Sequence, residues 1–415
     1  MMQRISDNAR GVARTVAVSL LVVASASCRS RPESAGGPYG DIVAQAVPAV
    51  EKAVGLQFKT PPRIEVRSKE QVRDYVLKQL ADTATMRAIA GQSAAYKLLG
   101  MIPDTLDLSK LMTRLLEEQI VGFYDPETKV LYIVQGSPKE SAQVIVTHEL
   151  VHALQDQYVN LDSIQKLTGD NDRQSAQQAV FEGEAVYEQI HAMLGPGNIA
   201  VAMPGGWDRV RQTIRDNQAA MPVYASAPMV IQETLVFPYL SGAEFVRNFR
   251  AREPGKVPFR DLPVSTSQIL HQNEFFDKRV APTPVSFAPV SAVTPIYSND
   301  LGEFETRLYL YQHLNDVDEA ARGASGWNGD RYVTWKTPSG PAIAWATVWL
   351  TPERAADFYE LMQRVATARE PAKHGRAEQV TTGIVDGRPV VLLVDTPAGI
   401  AAPISVRDVR LGKTR

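Results

Sequence analysis

The chain has 415 residues, 44% of them hydrophobic and 22% charged, with a formal net charge of −2. These are ordinary values for a folded protein with enough chain for two or three domains. They exclude the basic footprint of a nucleic-acid-binding protein and the composition of a disordered one, so function has to come from local motifs.

At the N-terminus Arg4, Arg10 and Arg14 precede an apolar run over residues 16–26, followed by small residues and Cys28. A basic region, a short hydrophobic stretch and a small-residue cleavage site make up a signal peptide, here residues 1–27, and the run is short for a membrane span. Export to the cell envelope is the expectation. Cys28 is the only cysteine and stands where the cleaved chain would begin. This resembles a bacterial lipoprotein signal, which implies a lipid anchor to the membrane on Cys28. Ser25 stands where that signal usually has leucine, and Ala24-Ser25-Ala26 also suits an ordinary signal peptidase. A single cysteine excludes an intramolecular disulfide. Residues 28–40, rich in Ser, Gly and Pro, read as a flexible linker.

Beyond the linker the pattern predicts a helix over 41–54, a strand over 63–67 and a helix over 70–80 with Ser68 at its N-cap. Another helix is expected over 106–120. Two β-prone runs, 121–124 and 130–134, flank the turn residues 125–129 as a hairpin. Helices follow over 141–158 and 172–194, the second closed by Gly195-Pro196-Gly197, then over 207–218 and 242–252 between Pro-containing stretches. The Pro/Ser/Val-rich segment 281–295 reads as a boundary between a domain at 41–280 and a C-terminal α+β domain at 281–415. In the latter we expect a helix over 303–322, strands over 331–335 and 342–350, a helix over 352–368 and a hairpin at Asp386-Gly387. Trp327, Trp335, Trp345 and Trp349 are expected to build its core. The fold class is α+β.

The chemistry is concentrated in His148-Glu149-Leu150-Val151-His152, the pattern HExxH. Four residues turn a helix through about 400°, so the two imidazoles sit about 40° apart on one face, one turn from each other. They can grip one zinc ion, Zn2+, from the same side. Glu149 lies about 100° round from His148, near enough to reach a water at the metal without being a ligand. Zinc and a carboxylate so placed make a nucleophile of water near neutral pH.

A catalytic zinc takes a third protein ligand and keeps an open position. Glu182, in Phe181-Glu182-Gly183-Glu184-Ala185, is the expected donor. Glycine costs about 1 kcal/mol in a helix interior, so Gly183 suggests close helix approach. Glu184 is the rival, about 200° away on the helix, so the two cannot both face the metal. Glu188 reads as a solvated position.

HExxH followed by a glutamate in a Glu-Gly-x-Ala context resembles the gluzincin branch of the zincin metallopeptidases. The string His148-Glu149-Leu150-Val151-His152-Ala153-Leu154-Gln155-Asp156-Gln157 is similar to a bacterial group of largely uncharacterised zincins. Further matching pieces are Gly122-Phe123-Tyr124-Asp125-Pro126, Phe237-Pro238-Tyr239 with Gly242, Ser265-Thr266 with Gln268-Ile269-Leu270-His271, and Gly326-Trp327-Asn328-Gly329-Asp330-Arg331. Gln272 departs from the proline common there. The resemblance implies a zincin-like domain, a mixed sheet with an active-site helix, and a peptide or protein substrate. It also implies that strand 130–134 is the sheet edge along which the peptide lies. A zincin gives oxyanion stabilisation to a His or Tyr, here His271 with Tyr239 as competitor. Asp156, one turn beyond His152, could orient an imidazole, or be an exposed helix residue. His191, His313 and His374 carry no supporting pattern.

The reading is an exported zinc metallopeptidase with ligands His148, His152 and Glu182, and with Glu149 and His271 as catalytic groups. Two alternatives stay open. One is a non-catalytic zinc-binding envelope lipoprotein, against which Glu149 weighs, and the other is a metal-dependent hydrolase of non-peptide amides or esters.

Overall fold

The computed structural model describes residues 39–119, 122–165, 168–194, 206–369 and 375–413. The expected signal peptide, Cys28 and most of the linker lie outside the described residues, as does His374. In chain order the first part comprises α1 (Gly40–Val54), β1 (Arg63–Arg67), α2 (Lys69–Leu80), α3 (Thr83–Leu98), α4 (Leu108–Gln119), β2 (Gly122–Asp125) and β3 (Val130–Val134). It continues with α5 (Lys139–Asp156), α6 (Leu161–Gln165), α7 (Asn171–Leu194), α8 (Gly206–Ala219), α9 (Pro222–Ser226), α10 (Met229–Arg252), α11 (Thr266–Leu270) and α12 (Gln272–Phe276). The C-terminal part comprises β4 (Val285–Phe287), β5 (Pro295–Asn299), α13 (Gly302–Leu314), α14 (Val317–Ala324), β6 (Trp327–Thr337) and β7 (Gly340–Trp349). It ends with α15 (Pro352–Arg369), β8 (Arg376–Val385), β9 (Arg388–Pro397) and β10 (Val409–Leu411). The chain is a mixed α+β protein, with three sheets among the described residues.

The first sheet has the order β1-β3-β2, with β1 parallel and β2 antiparallel to β3. The strand over residues 130–134 is therefore central, not an edge: Arg63 to Arg67 pair with one side of it and Gly122 to Asp125 with the other. β2, the shorter strand on the helix side, is the edge near α5. This corrects the expectation about where a peptide could add.

Two helices depart from the sequence pattern for local reasons. α3 has little amphipathic contrast and begins at a cap, Asp82, whose carboxylate accepts from the backbone N–H of Ala84 and Thr85. The single helix expected over 303–322 is two: Asn315 turns left-handed at φ 54°, and Asp316 caps the next helix by accepting from Glu319 N–H. α10 extends back to Met229 through Pro238. An interior proline costs about 3 kcal/mol, and here its neighbours Phe237, Tyr239 and Leu240 are all buried.

The five-stranded sheet, β5-β6-β7-β9-β8, is antiparallel throughout. Its β8–β9 turn is Asp386-Gly387, at φ 48° and 77°, a two-residue loop with the twist of a tight hairpin. Side-chain alternation on β7 sends Ile343, Trp345 and Trp349 to one core and Ala342, Ala344, Ala346 and Val348 to another. The first is the main core of the molecule, which runs from Tyr39 to Leu393 without a break at residue 281. The second lies under the β4–β10 ribbon.

α7 and α10 pack with their backbones in close approach. A Cβ built on Gly183 would lie 2.1 Å from the Gly242 carbonyl carbon, and one on Gly242 would lie 1.9 Å from the Ala179 oxygen. The two glycines thus let two backbones meet, but the helix that Gly183 admits is α10, not α5, which carries His148 and His152.

Candidate metal centre

α5 runs through the middle of the first part of the fold. Every residue from Val144 to Asp156 is buried, because α1, α7, β2 and β3 pack round it. A helix buried on all sides shows no polar face, so its polar side chains must find partners inside. His148, Glu149 and His152 are such side chains.

α7 crosses α5 and brings Glu182 to both imidazoles. Glu182 Oε2 lies 3.3 Å from His148 Nε2 and 3.3 Å from His152 Nε2, and the two Nε2 atoms are 3.2 Å apart. These three donor atoms form a nearly equilateral triangle, and among the described residues theirs is the group of three or more His, Cys, Asp or Glu side chains able to hold a metal. Tetrahedral ligands at about 2.0–2.1 Å from zinc stand about 3.3 Å from one another. The residues present fit the metal that the motif implies.

The remaining imidazole atoms are fixed by two glutamines that the sequence reading did not single out. His152 Nδ1 lies 2.9 Å from Gln155 Oε1, and His148 Nδ1 lies 3.3 Å from Gln189 Oε1. The Gln155 Nε2 donates to Phe181 O and to Glu184 Oε2, and the Gln189 Nε2 donates to Val144 O. All three of those partners only accept while Glu184 is ionised, so each amide must turn its oxygen towards its histidine. Nδ1 then carries the proton and Nε2 keeps its lone pair for the cluster. Two lone pairs and a carboxylate oxygen converging in a buried space demand a cation. Burial pushes the His152 pKa down, yet Glu182 outweighs it and raises it to about 9. Burial likewise pushes Glu182 up, and the two imidazoles bring it down to about 2. Without metal, the cluster meets the same demand by holding a proton. Gln155 follows His152 by three residues and Gln189 follows Glu182 by two helical turns, so helical spacing was the signal available for both.

Glu184 points the other way. It meets Gln155 and Arg250, the latter at 3.1 Å, and Glu188 meets the same Arg250 at 2.6 Å. Glu188 is buried rather than solvated. Burial raises the Glu184 carboxyl to about 7 and that of Glu188 to about 8, against the pull of Arg250.

Glu149 Oε2 accepts from the backbone N–H of Tyr124, on the edge strand β2, at 2.7 Å. Asp156 takes no part in orienting an imidazole: it accepts from Tyr124 Oη, from Lys129 Nζ and from Leu161 N–H, tying the hairpin and α6 to the end of α5. A small hollow of about 40 Å³ opens here, lined by Tyr124, Pro126, His152 and Glu182 among others.

His271 is engaged elsewhere. Its Nε2 lies 2.7 Å from Glu303 Oε1 and 3.0 Å from an Arg307 nitrogen, both on α13. The hydrogen bond to Glu303 raises its pKa against burial. Tyr239 is the residue that packs on the centre, its ring stacked 6.2 Å from that of His148. His313 donates through Nε2 to the Leu99 carbonyl at 2.9 Å, and His191 packs on Tyr187. Trp327, Trp345 and Trp349 belong to the main core and Trp335 to the second one.

Residues 293–395 match a family model described as a domain of unknown function, DUF8575. That stretch starts just before β5, ends within β9 and leaves out the metal centre. No curated protein and no solved structure matches the chain.

Proposed function

We propose that this chain is a zinc-dependent peptidase of zincin type, with His148, His152 and Glu182 holding the metal. The observation that carries the reading is the triangle of donor atoms, 3.2–3.3 Å on each side, with Glu149 beside it. When bound, zinc supplies Lewis acidity and lowers the pKa of water to about 7. Glu149, one residue after a ligand and held by the Tyr124 amide, takes the proton of the attacking water and passes it to the departing amine. β2 is the edge strand beside Glu149, where an extended peptide would pair with main-chain hydrogen bonds. Tyr239, not the Glu303-bound His271, is the group beside the imidazoles for oxyanion stabilisation.

The test is Glu149→Gln in the full chain. Peptide cleavage should fall by about 10²–10⁴-fold, the usual weight of a general base, while zinc content by elemental analysis stays that of the parent protein. Zinc loss as complete as in His148→Ala would show that Glu149 is not the base. Tyr239→Phe should slow turnover and keep the metal.

We also propose that the mature chain is lipid-anchored at Cys28 in the cell envelope, on the strength of the N-terminal pattern. Cys28→Ser should move the protein from the membrane to the soluble fraction. Unchanged fractionation, with a mature N-terminus at another residue, would refute the anchor.

A further inference from the structure

Next to the metal centre lies a second, larger cavity of about 290 Å³. Three residues join it to the site. Tyr239, whose ring stacks on His148, lines the cavity. Gln174 and Gln178 of α7 line both the cavity and the hollow beside His152 and Glu182, and Gln178 is one helical turn before Glu182.

The chemistry of the wall is one-sided. Its apolar part includes Met112, Leu115 and Leu116 of α4 and Leu235 of α10, and its polar part is largely amide. Among the described residues no Asp, Glu, Lys, Arg or His lines it. A charged side chain entering this space would leave water and meet no countercharge, which opposes its binding strongly. A large uncharged side chain would lay its body on the leucines and methionine, and the amides offer donors and acceptors to a polar tip. The volume is near the lower end for small-molecule pockets, about 300 Å³, which accommodates the largest natural side chains.

Resting on the peptidase reading above, we propose that this cavity is the specificity subsite. It takes a large uncharged residue adjoining the scissile bond and excludes Asp, Glu, Lys and Arg. Met112, partly buried on α4 and away from the metal ligands, is a determinant of that choice.

A peptide library presented to the zinc-loaded full chain tests this. One position beside the cleaved bond should favour Phe, Tyr, Leu and Met over the four charged residues by at least about 100-fold in kcat/KM. Met112→Lys should shift that position towards Asp and Glu, and Met112→Glu towards Lys and Arg, each by about 10-fold or more. Cleavage that ignores charge at every position, or variants that cut with unaltered preference, would overturn the subsite.

A second measurement needs neither metal nor turnover. Saturation-transfer NMR on the metal-free chain should detect N-acetylphenylalaninamide and not N-acetyllysinamide. Ala88→Trp, which fills the cavity from α3, should abolish the signal. Binding with these properties but no cleavage of any peptide would refute the peptidase reading and leave the cavity a site for neutral side chains. Equal signals from both amides would refute the cavity's selectivity and leave the metal chemistry untouched.

Discussion

Two buried polar regions of this molecule solve the same electrostatic problem in opposite ways. In the metal centre one carboxylate, Glu182, is set against two imidazoles, and each imidazole is backed by an amide. At the junction with the C-terminal part, carboxylates crowd together. Asp172 N–H donates to Asp300, Asp172 accepts from Thr266 N–H and its hydroxyl, and Asp330 accepts from Leu301 N–H, Gly302 N–H and Trp345 Nε1. Arg331 reaches Asp300 at 3.3 Å. Burial raises Asp172 to about 7 and Glu305 to about 8, and burial with the neighbouring Asp330 raises Asp300. The first region gathers lone pairs and is built to take up a cation. The second raises its acids by burial and satisfies their oxygens largely with backbone N–H groups and hydroxyls, which oppose that rise. Buried acidic residues alone therefore do not mark chemistry here; convergence of unprotonated donors does.

The sharpest way to break that contrast is to remove Glu182 and Glu184 of α7 one at a time. Glu182→Ala should reduce zinc affinity by far more than the roughly 10–100-fold expected of a residue that only supports a ligand. Glu184→Ala should leave the metal in place, because its carboxylate meets Gln155 and Arg250 instead. Competition with a chelating dye measures both. A metal lost equally in the two variants would dissolve the distinction between ligand and support.

The junction should reveal itself through pH. Asp172 has a folded-state pKa raised to about 7, whereas an unfolded aspartate titrates near 3.9. Below about pH 4 both states hold the proton and the contribution is whole. Between about pH 4 and 7 the unfolded chain gives up its proton first, so stability falls as pH rises through the folded pKa. The difference between about 7 and about 3.9 sets an upper bound of about 4 kcal/mol, shared with the neighbouring carboxylates. Denaturant unfolding of the metal-free chain should show this decline, and Asp172→Asn should flatten part of it. An unchanged slope in the variant would assign the pH dependence to other groups.

How much of this was legible in the sequence follows the range of the interactions. HExxH is a local pattern, and the positions of His148, Glu149 and His152 follow from helical spacing alone. Glu182 was legible through its glycine, although the reason differed: Gly183 opens α7 to Gly242 of α10. What escaped was long-range. The centrality of β3 depends on pairing with β1, 67 residues earlier in the chain, which no local signal announces. The engagement of His271 depends on Glu303 and Arg307 from a helix beyond the expected boundary. The buried Glu188 looked like a solvated position because Arg250, its partner, comes from another helix.

The smallest effects should come from the two amides that fix the imidazoles, and they should differ. Removing either leaves its histidine free to choose its tautomer and rotate, at a cost of about 10–100-fold in metal affinity. Gln155 is held at both ends: it bonds His152 at 2.9 Å, and its Nε2 is fixed by Phe181 O and by Glu184, itself paired with Arg250. Gln189 reaches His148 at 3.3 Å and is steadied by Val144 O alone among the contacts described. The tighter support should matter more, so Gln155→Leu is expected near the upper end of that range and Gln189→Leu near the lower. Nitrogen-15 NMR of the metal-free protein at a pH above about 9, where the His152 ring has given up its extra proton, gives the independent readout. In the parent protein the His148 and His152 Nδ1 atoms should carry protons, and each variant should release the tautomer of its own histidine and not of the other. Parent-like tautomers in both variants would mean that the carboxylate of Glu182 alone aligns the rings.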